Sequence, residues 1–174
     1  MGKLKLKIFP DPILEKECDE IKKIDKNIIK LSQDMIETMI DSDGIGLSAP
    51  QVGILKRIFV CKDFSDEDNY KTLILINPKI TSYKGKVQSR EGCLSIPGFY
   101  DYVSRHETIS MVALDINGDE QYFESDGMQS IVFQHEFDHL DGILFPERMT
   151  NIKKDIFLKK IKKEFKGWKL FLRG

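Results

Sequence analysis

The sequence predicts an α+β fold, with mostly antiparallel β-sheets packed around a central helix and a further helix at the C-terminus. Three observations carry that expectation. Apolar residues recur at helical spacing after Asp25 and again before Gly142, β-rich runs bounded by turn residues fill the middle of the chain, and Asn117-Gly118 joins two alternating runs as a hairpin does. A chain of 174 residues, 41% of them apolar, is long enough for one well-formed core, so residues 1–174 are expected to form a single domain.

Taken in order, the opening KLKLKI alternates strictly and predicts a short strand before FPDP turns the chain. Ile28, Leu31, Met35, Ile36, Met39 and Ile40 then follow a 3.6-residue period, with Asp25 as the expected N-cap and an end near DSDG. GIGLSAPQVG has three glycines and a proline in ten residues and is expected to be an irregular, shaped loop. RIFVC and TLILIN predict two strands around the polar loop KDFSDEDNYK, and KITSYKGKVQ predicts another, weakened by Gly85. TISMVAL and DEQYFES form the hairpin arms. From Ser125 or Asp126 to Leu140 the pattern is helical again, with Gly142 as the residue past its end. A last helix is expected from about Asn151 to Phe165, broken by Gly167, with Ile152, Ile156, Ile161 and Phe165 on its apolar side. Six or seven strands, largely antiparallel, complete the picture.

Charge and cysteine usage bound the function. The net charge is −1, yet residues 153–173 carry nine Lys/Arg against Asp155 and Glu164, so the tail is +7 and the rest −8. No apolar run approaches about 18 residues, and the N-terminus lacks the apolar core of a signal peptide. In MGKLKL, Leu6 stands where acylation would need Ser or Thr. Three cysteines, Cys18, Cys61 and Cys93, suit a reducing compartment better than a disulfide framework. The expectation is a soluble protein of a bacterial-type cytoplasm, with neither membrane nor DNA as partner.

QHEFDHLDG carries the chemistry. On a helix His139 lies about 40° from His135 and Glu136 about 100° from it. Both imidazoles therefore share a face, and the carboxylate on its flank can reach a metal-bound water. Ile131 and Val132, one turn earlier, would form an apolar wall beside the metal. Histidines on a half-buried helix can also be ordinary core residues, but two of the chain's three histidines occupy this pattern; the third, His106, needs no explanation beyond solvation.

A catalytic site of this kind needs a third protein ligand and one open position. HEFDHLDGILF has Phe145 where a metzincin has its third histidine. Glu147 is one alternative. Cys93 in REGCLSIPG is the better candidate, because a thiolate binds zinc or iron(II) strongly and Gly92 permits close backbone approach; a small buried apolar cysteine is the plain alternative, and the one preferred for Cys18 and Cys61.

GIGLSAPQ, EGCLS and QHEFDH, in this order and at these separations, resemble the three signature motifs of the peptide deformylases, and the resemblance extends across nearly the whole chain. It implies a metal-dependent amide hydrolase that removes the formyl group from the N-terminal formyl-methionine of newly made polypeptides. By that resemblance Cys93, His135 and His139 are the metal ligands and Glu136 is the catalytic acid and base. The Gln51 side-chain amide and the Leu94 backbone N–H are the implied donors to the formyl oxygen. The resemblance also implies iron(II) as the physiological metal, with zinc, nickel or cobalt able to substitute, and a supporting Glu91–Arg105 pair.

Gly44 and Gly46 would let an extended substrate pair with the backbone, and Ile45, Ile131 and Val132 would line the methionine pocket. Ser48 adds a hydroxyl where the family usually has alanine, and Phe99, Tyr100 and Asp101 follow IPG where many members have arginine, which leaves peptide preference beyond methionine open. The basic C-terminal helix is expected to be a solvated amphipathic helix, with docking to the ribosome as the sharper alternative. A zincin-like peptidase would need a downstream carboxylate ligand, and a structural zinc module would need a fourth ligand such as Cys61 or His106; both conflict with the ordered trio.

Overall fold

A computed structural model describes residues 2–65 and 71–164. Along it run helix α1 (Lys26–Asp41), strands β1 (Gly46–Ser48), β2 (Ile58–Lys62), β3 (Thr72–Lys84), β4 (Val87–Cys93), β5 (Ile96–Arg105), β6 (Thr108–Leu114) and β7 (Glu120–Ser125), then helices α2 (Gly127–Leu140) and α3 (Asn151–Glu164). Two antiparallel sheets result, one with the order β1-β2-β3-β6-β7 and one made of β4 and β5. The expected α+β architecture is therefore the observed one.

β2 explains the layering. Ile58, Phe59, Val60 and Cys61 are all fully buried, which requires cover on both faces of the sheet. Ile58 and Val60 pack with Met35 and Met39 of α1, whereas Phe59 and Cys61 pack with Val132, Phe133 and Leu140 of α2. A third cluster gathers Ile96, Phe99 and Val103 of β5 with Phe145, Phe157 and Ile161. α2 packs on the large sheet through Phe133 and Leu140 and reaches Glu91 and Arg105 of the β4–β5 hairpin through His135 and Asp138, so it lies between the two.

Local signals account for the helix ends. Asp25 caps α1 by accepting from the backbone N–H of Asn27 and Ile28, and Gly142, at φ +70°, follows α2 in the left-handed conformation a helix terminus favours. β6 and β7 form the expected hairpin, its loop closed by Asp115 N–H donating to the Asp119 carbonyl.

Five expectations change. Residues 3–8 join no sheet: their backbone bonds to the Thr38 hydroxyl and the Gln51 carbonyl, because the segment passes a helix and a turn rather than a free strand edge. Its alternation reflects Leu4 and Leu6 facing the α1 cluster. The glycine-rich segment is more regular than a loop, since Gly46–Ser48 pairs with β2 and Ala49–Val52 forms a 3-10 turn begun by Pro50. Residues 79–84 continue β3 beyond a bulge at Asn77 instead of starting a new strand. β5 escaped the pattern because Pro97, Gly98 and Asp101 read as turn residues, although Phe99, Val103 and Arg105 face inward at alternate positions.

The last change concerns α3. It buries Phe157 and Ile161, leaving Ile152 and Ile156 exposed on the opposite side, because the Phe157 ring fits edge-on against Phe99 and Phe145. Phe165 and Gly167, expected to end this helix, lie outside the described residues.

Phe133 is fully buried between the rings of Phe59 and Phe123. Phe133→Ala is expected to destabilise the protein by about 3–5 kcal/mol in urea unfolding.

Candidate metal centre

α2 is enclosed on several sides, so each of its buried polar side chains needs a partner. Gln134 accepts from the His106 backbone N–H at 2.9 Å and donates to the His106 carbonyl at 2.8 Å. Ser130 donates to the same carbonyl, and Asp138 accepts from Arg105 and Arg148. Helical spacing puts His135 and His139 on one face, their ring centroids 5.0 Å apart.

Cys93, the last residue of β4, reaches this pair from the hairpin. Its sulfur lies 3.3 Å from His139 Nε2, and donor atoms of Cys93, His135 and His139 all fall within 4.8 Å of one another. Tetrahedral coordination with zinc-like bond lengths separates a sulfur and a nitrogen ligand by roughly 3.5 Å, so this donor set fits a metal ion. His135 Nδ1 donates to Glu91 at 2.9 Å, which leaves Nε2 free to coordinate. Arg105 then clamps Glu91 through both carboxylate oxygens, at 2.8 and 2.9 Å. Burial opposes the charge on Glu91, but hydrogen bonds from Arg105 and His135 prevail and hold it down at about 2.

Glu136 sits beside the ligands, almost fully buried, and that burial pushes its carboxyl above the ordinary range. Its side chain accepts from the Ser48 hydroxyl and lies so close to Gly46 that a Cβ there would overlap it. Glycine at 46 is thus what lets β1 pass the carboxylate. The Ser48 backbone N–H, which can only donate, binds Gln51 Oε1 at 2.8 Å. Gln51 Nε2 must consequently point the other way, toward Cys93 Sγ at 3.4 Å and the Ser95 hydroxyl at 3.3 Å.

A cavity of about 520 Å³ opens above these groups. Gly44, Ile45, Gly46, Gln51, Cys93, Leu94, Ile131, Val132, His135 and Glu136 all line it, with Tyr100, Arg90 and Met128 at its margin, while His139 lies buried beneath. The alternative ligands stand elsewhere. Glu147 pairs with Lys154, Cys61 is fully buried in the core, and His106 bonds the Gly85 carbonyl.

The polypeptide deformylase family model matches residues 3–155. The chain belongs to that family. A peptide deformylase of Thermodesulfovibrio yellowstonii is 44% identical over 162 residues, 93% of this chain and 98% of the relative. One of Alkalilimnicola ehrlichii is 41% identical over 94% of this chain and 91% of its own. The crystal structure of a peptide deformylase from Legionella pneumophila superposes with a TM-score of 0.86 at 33% identity, covering 99% of both chains. Membership carries the activity with it: this deformylase is a metal-dependent enzyme that removes the N-formyl group from newly made polypeptides.

Sequence reasoning anticipated the Glu91–Arg105 pair but not its extension. Asp138 joins Arg105 to Arg148, and Phe145 stacks on the His135 ring at 6.3 Å. No spacing signal links these residues, because they meet only through the fold. Among the described residues, Arg105→Ala would take from buried Glu91 its only guanidinium partner and leave Asp138 with Arg148 alone, and is expected to cost about 3–5 kcal/mol of stability in denaturant unfolding.

Proposed function

We propose that Cys93, His135 and His139 hold the catalytic metal and that Glu136 carries protons for deformylation. The observation that supports this most directly is the convergence of a sulfur and two imidazoles within 4.8 Å, beside a buried carboxylate and an open cavity. When bound, a divalent metal polarises the formyl oxygen and lowers the pKa of water. Thiolate with two imidazoles suits several such ions; iron(II) is our choice for the physiological one, with zinc, nickel or cobalt as substitutes.

Each protein group then has a defined task. Glu136, raised by burial and steadied by Ser48, takes a proton from the attacking water and returns it to the leaving amine. Gln51 Nε2, aimed by the Ser48 N–H, and the Leu94 backbone N–H donate to the oxygen on which negative charge develops, each contributing a few kcal/mol in the transition state. Gly44 and Gly46 admit the substrate backbone as an added strand, and Ile45, Ile131 and Val132 receive the methionine side chain. Ile45 is 41% exposed, which favours this role over core packing. Residues 1–174 act as one catalytic domain.

The partner is the formylated N-terminus of a nascent polypeptide. No helix among the described residues is long and apolar enough to cross a membrane, in keeping with our placement of the enzyme in a bacterial-type cytoplasm. The lysines along α3, together with the basic residues beyond Glu164, would meet ribosomal RNA by charge.

Two measurements test these assignments. Glu136→Ala should lower turnover of a formyl-Met dipeptide at least about 100-fold under anaerobic conditions while metal content by elemental analysis is retained; full turnover would remove Glu136 from the mechanism. Ribosome binding should weaken as salt rises and disappear on deletion of residues 153–174; binding that survives the deletion would discard the docking role.

A further inference from the structure

Arg90 and Tyr100 take no part in the steps above, yet both border the same cavity. In the hairpin register Gly92 faces Tyr100 and Arg90 faces Tyr102, and residues two apart on one strand share a face, so these four lie together on the outer side of β4 and β5. A Cβ at Gly92 would overlap the Tyr100 ring, which therefore lies across the backbone immediately before Cys93. The Arg90 guanidinium is held 5.2 Å from the centroid of that ring. Among the described residues no carboxylate pairs with Arg90. Tyr100 remains 60% exposed and Tyr102 51%, so the hairpin presents an aromatic shelf with a cation at its edge. Asp43 is the exposed acidic residue that lines the same cavity.

We propose that Arg90, steadied on Tyr100, is a specificity-determining residue that favours acidic side chains at the third position of the formylated peptide. The proposal rests on the deformylase reading of the site. With the methionine side chain between Ile131 and Val132 and the peptide extended, the second side chain points away from the enzyme. The third returns to its surface roughly 6–7 Å further along, at the cavity margin where Arg90 and Tyr100 stand. Stacking holds the guanidinium plane and leaves its edge N–H groups available for two parallel bonds to a carboxylate. Lysine would bind less well beside the same cation. Asp43 acts alike on every Arg90 variant, so a comparison among variants isolates the arginine.

The test compares formyl-Met-Ala-Glu amide with formyl-Met-Ala-Lys amide on the metal-loaded enzyme at low salt, in wild type, Arg90→Gln and Arg90→Glu. The quantity read is the Glu-to-Lys ratio of kcat/KM, which does not depend on how much of each preparation is active. The ratio should fall by about fivefold or more from wild type to Arg90→Glu, with Arg90→Gln between them and the change carried by KM. A fall of less than about threefold, or one confined to kcat, overturns the proposal. Failure of the deformylase reading itself would look different: neither peptide would lose its formyl group with any of the three proteins, and both conclusions would fall.

Discussion

A buried arginine that bridges two carboxylates organises the catalytic end of the molecule. Arg105, at the end of β5, grips both oxygens of Glu91 on β4 and also reaches Asp138 on α2. Three charges removed from water would be expensive if any were left unmatched, so their mutual satisfaction fixes the distance between hairpin and helix. Glu91 also accepts a hydrogen bond from His135 Nδ1–H, which sets the imidazole's tautomer and aims its other nitrogen toward Cys93. Cys93 is itself only two residues beyond Glu91. A single guanidinium thus positions the proposed ligands, contributed by a sheet and by a helix.

The opposite wall is organised by backbone geometry rather than charge. β1 has only three residues, all buried, and it delivers three functional features in succession: Gly46 against the Glu136 carboxylate, the Ser48 hydroxyl on the same group, and the Ser48 N–H that orients Gln51. The segment is short because Pro50 turns it at once into a 3-10 turn, and that turn is what brings Gln51 back toward the metal loop. Regular structure begins and ends here within the reach of one active site.

Much of this was legible before any coordinates. α1 and α2 announce themselves by period, cap and terminal glycine, the β6–β7 hairpin by its turn, and the candidate ligands by residue types that have few other reasons to occur in such spacing. What escaped were features with no local signature. The alternation of residues 3–8 marks a half-buried extended segment equally well whether or not a strand lies alongside. β5 hides behind a proline and a glycine near its start, which fall in the break of register between the Cys93–Ile96 and Gly92–Tyr100 pairs. Asp138 and Arg148 carry no pairing signal in the sequence, and they meet only because the 3-10 turn after α2 brings Arg148 back against the helix. Which of two isoleucine-bearing sides α3 would bury depended on the fit of Phe157 against two other rings, a matter of shape that periodicity does not encode.

β3 is long enough to serve two neighbours, its first residues lying against β2 and its later ones against β6. Its leading half pairs with a strand that precedes it in the chain, whereas its trailing half pairs with one encoded some thirty residues later. His135 and His139 follow later still. The three proposed donors are thus encoded far apart, Cys93 preceding His135 by 42 residues, and they can meet only once the hairpin and α2 have both been made.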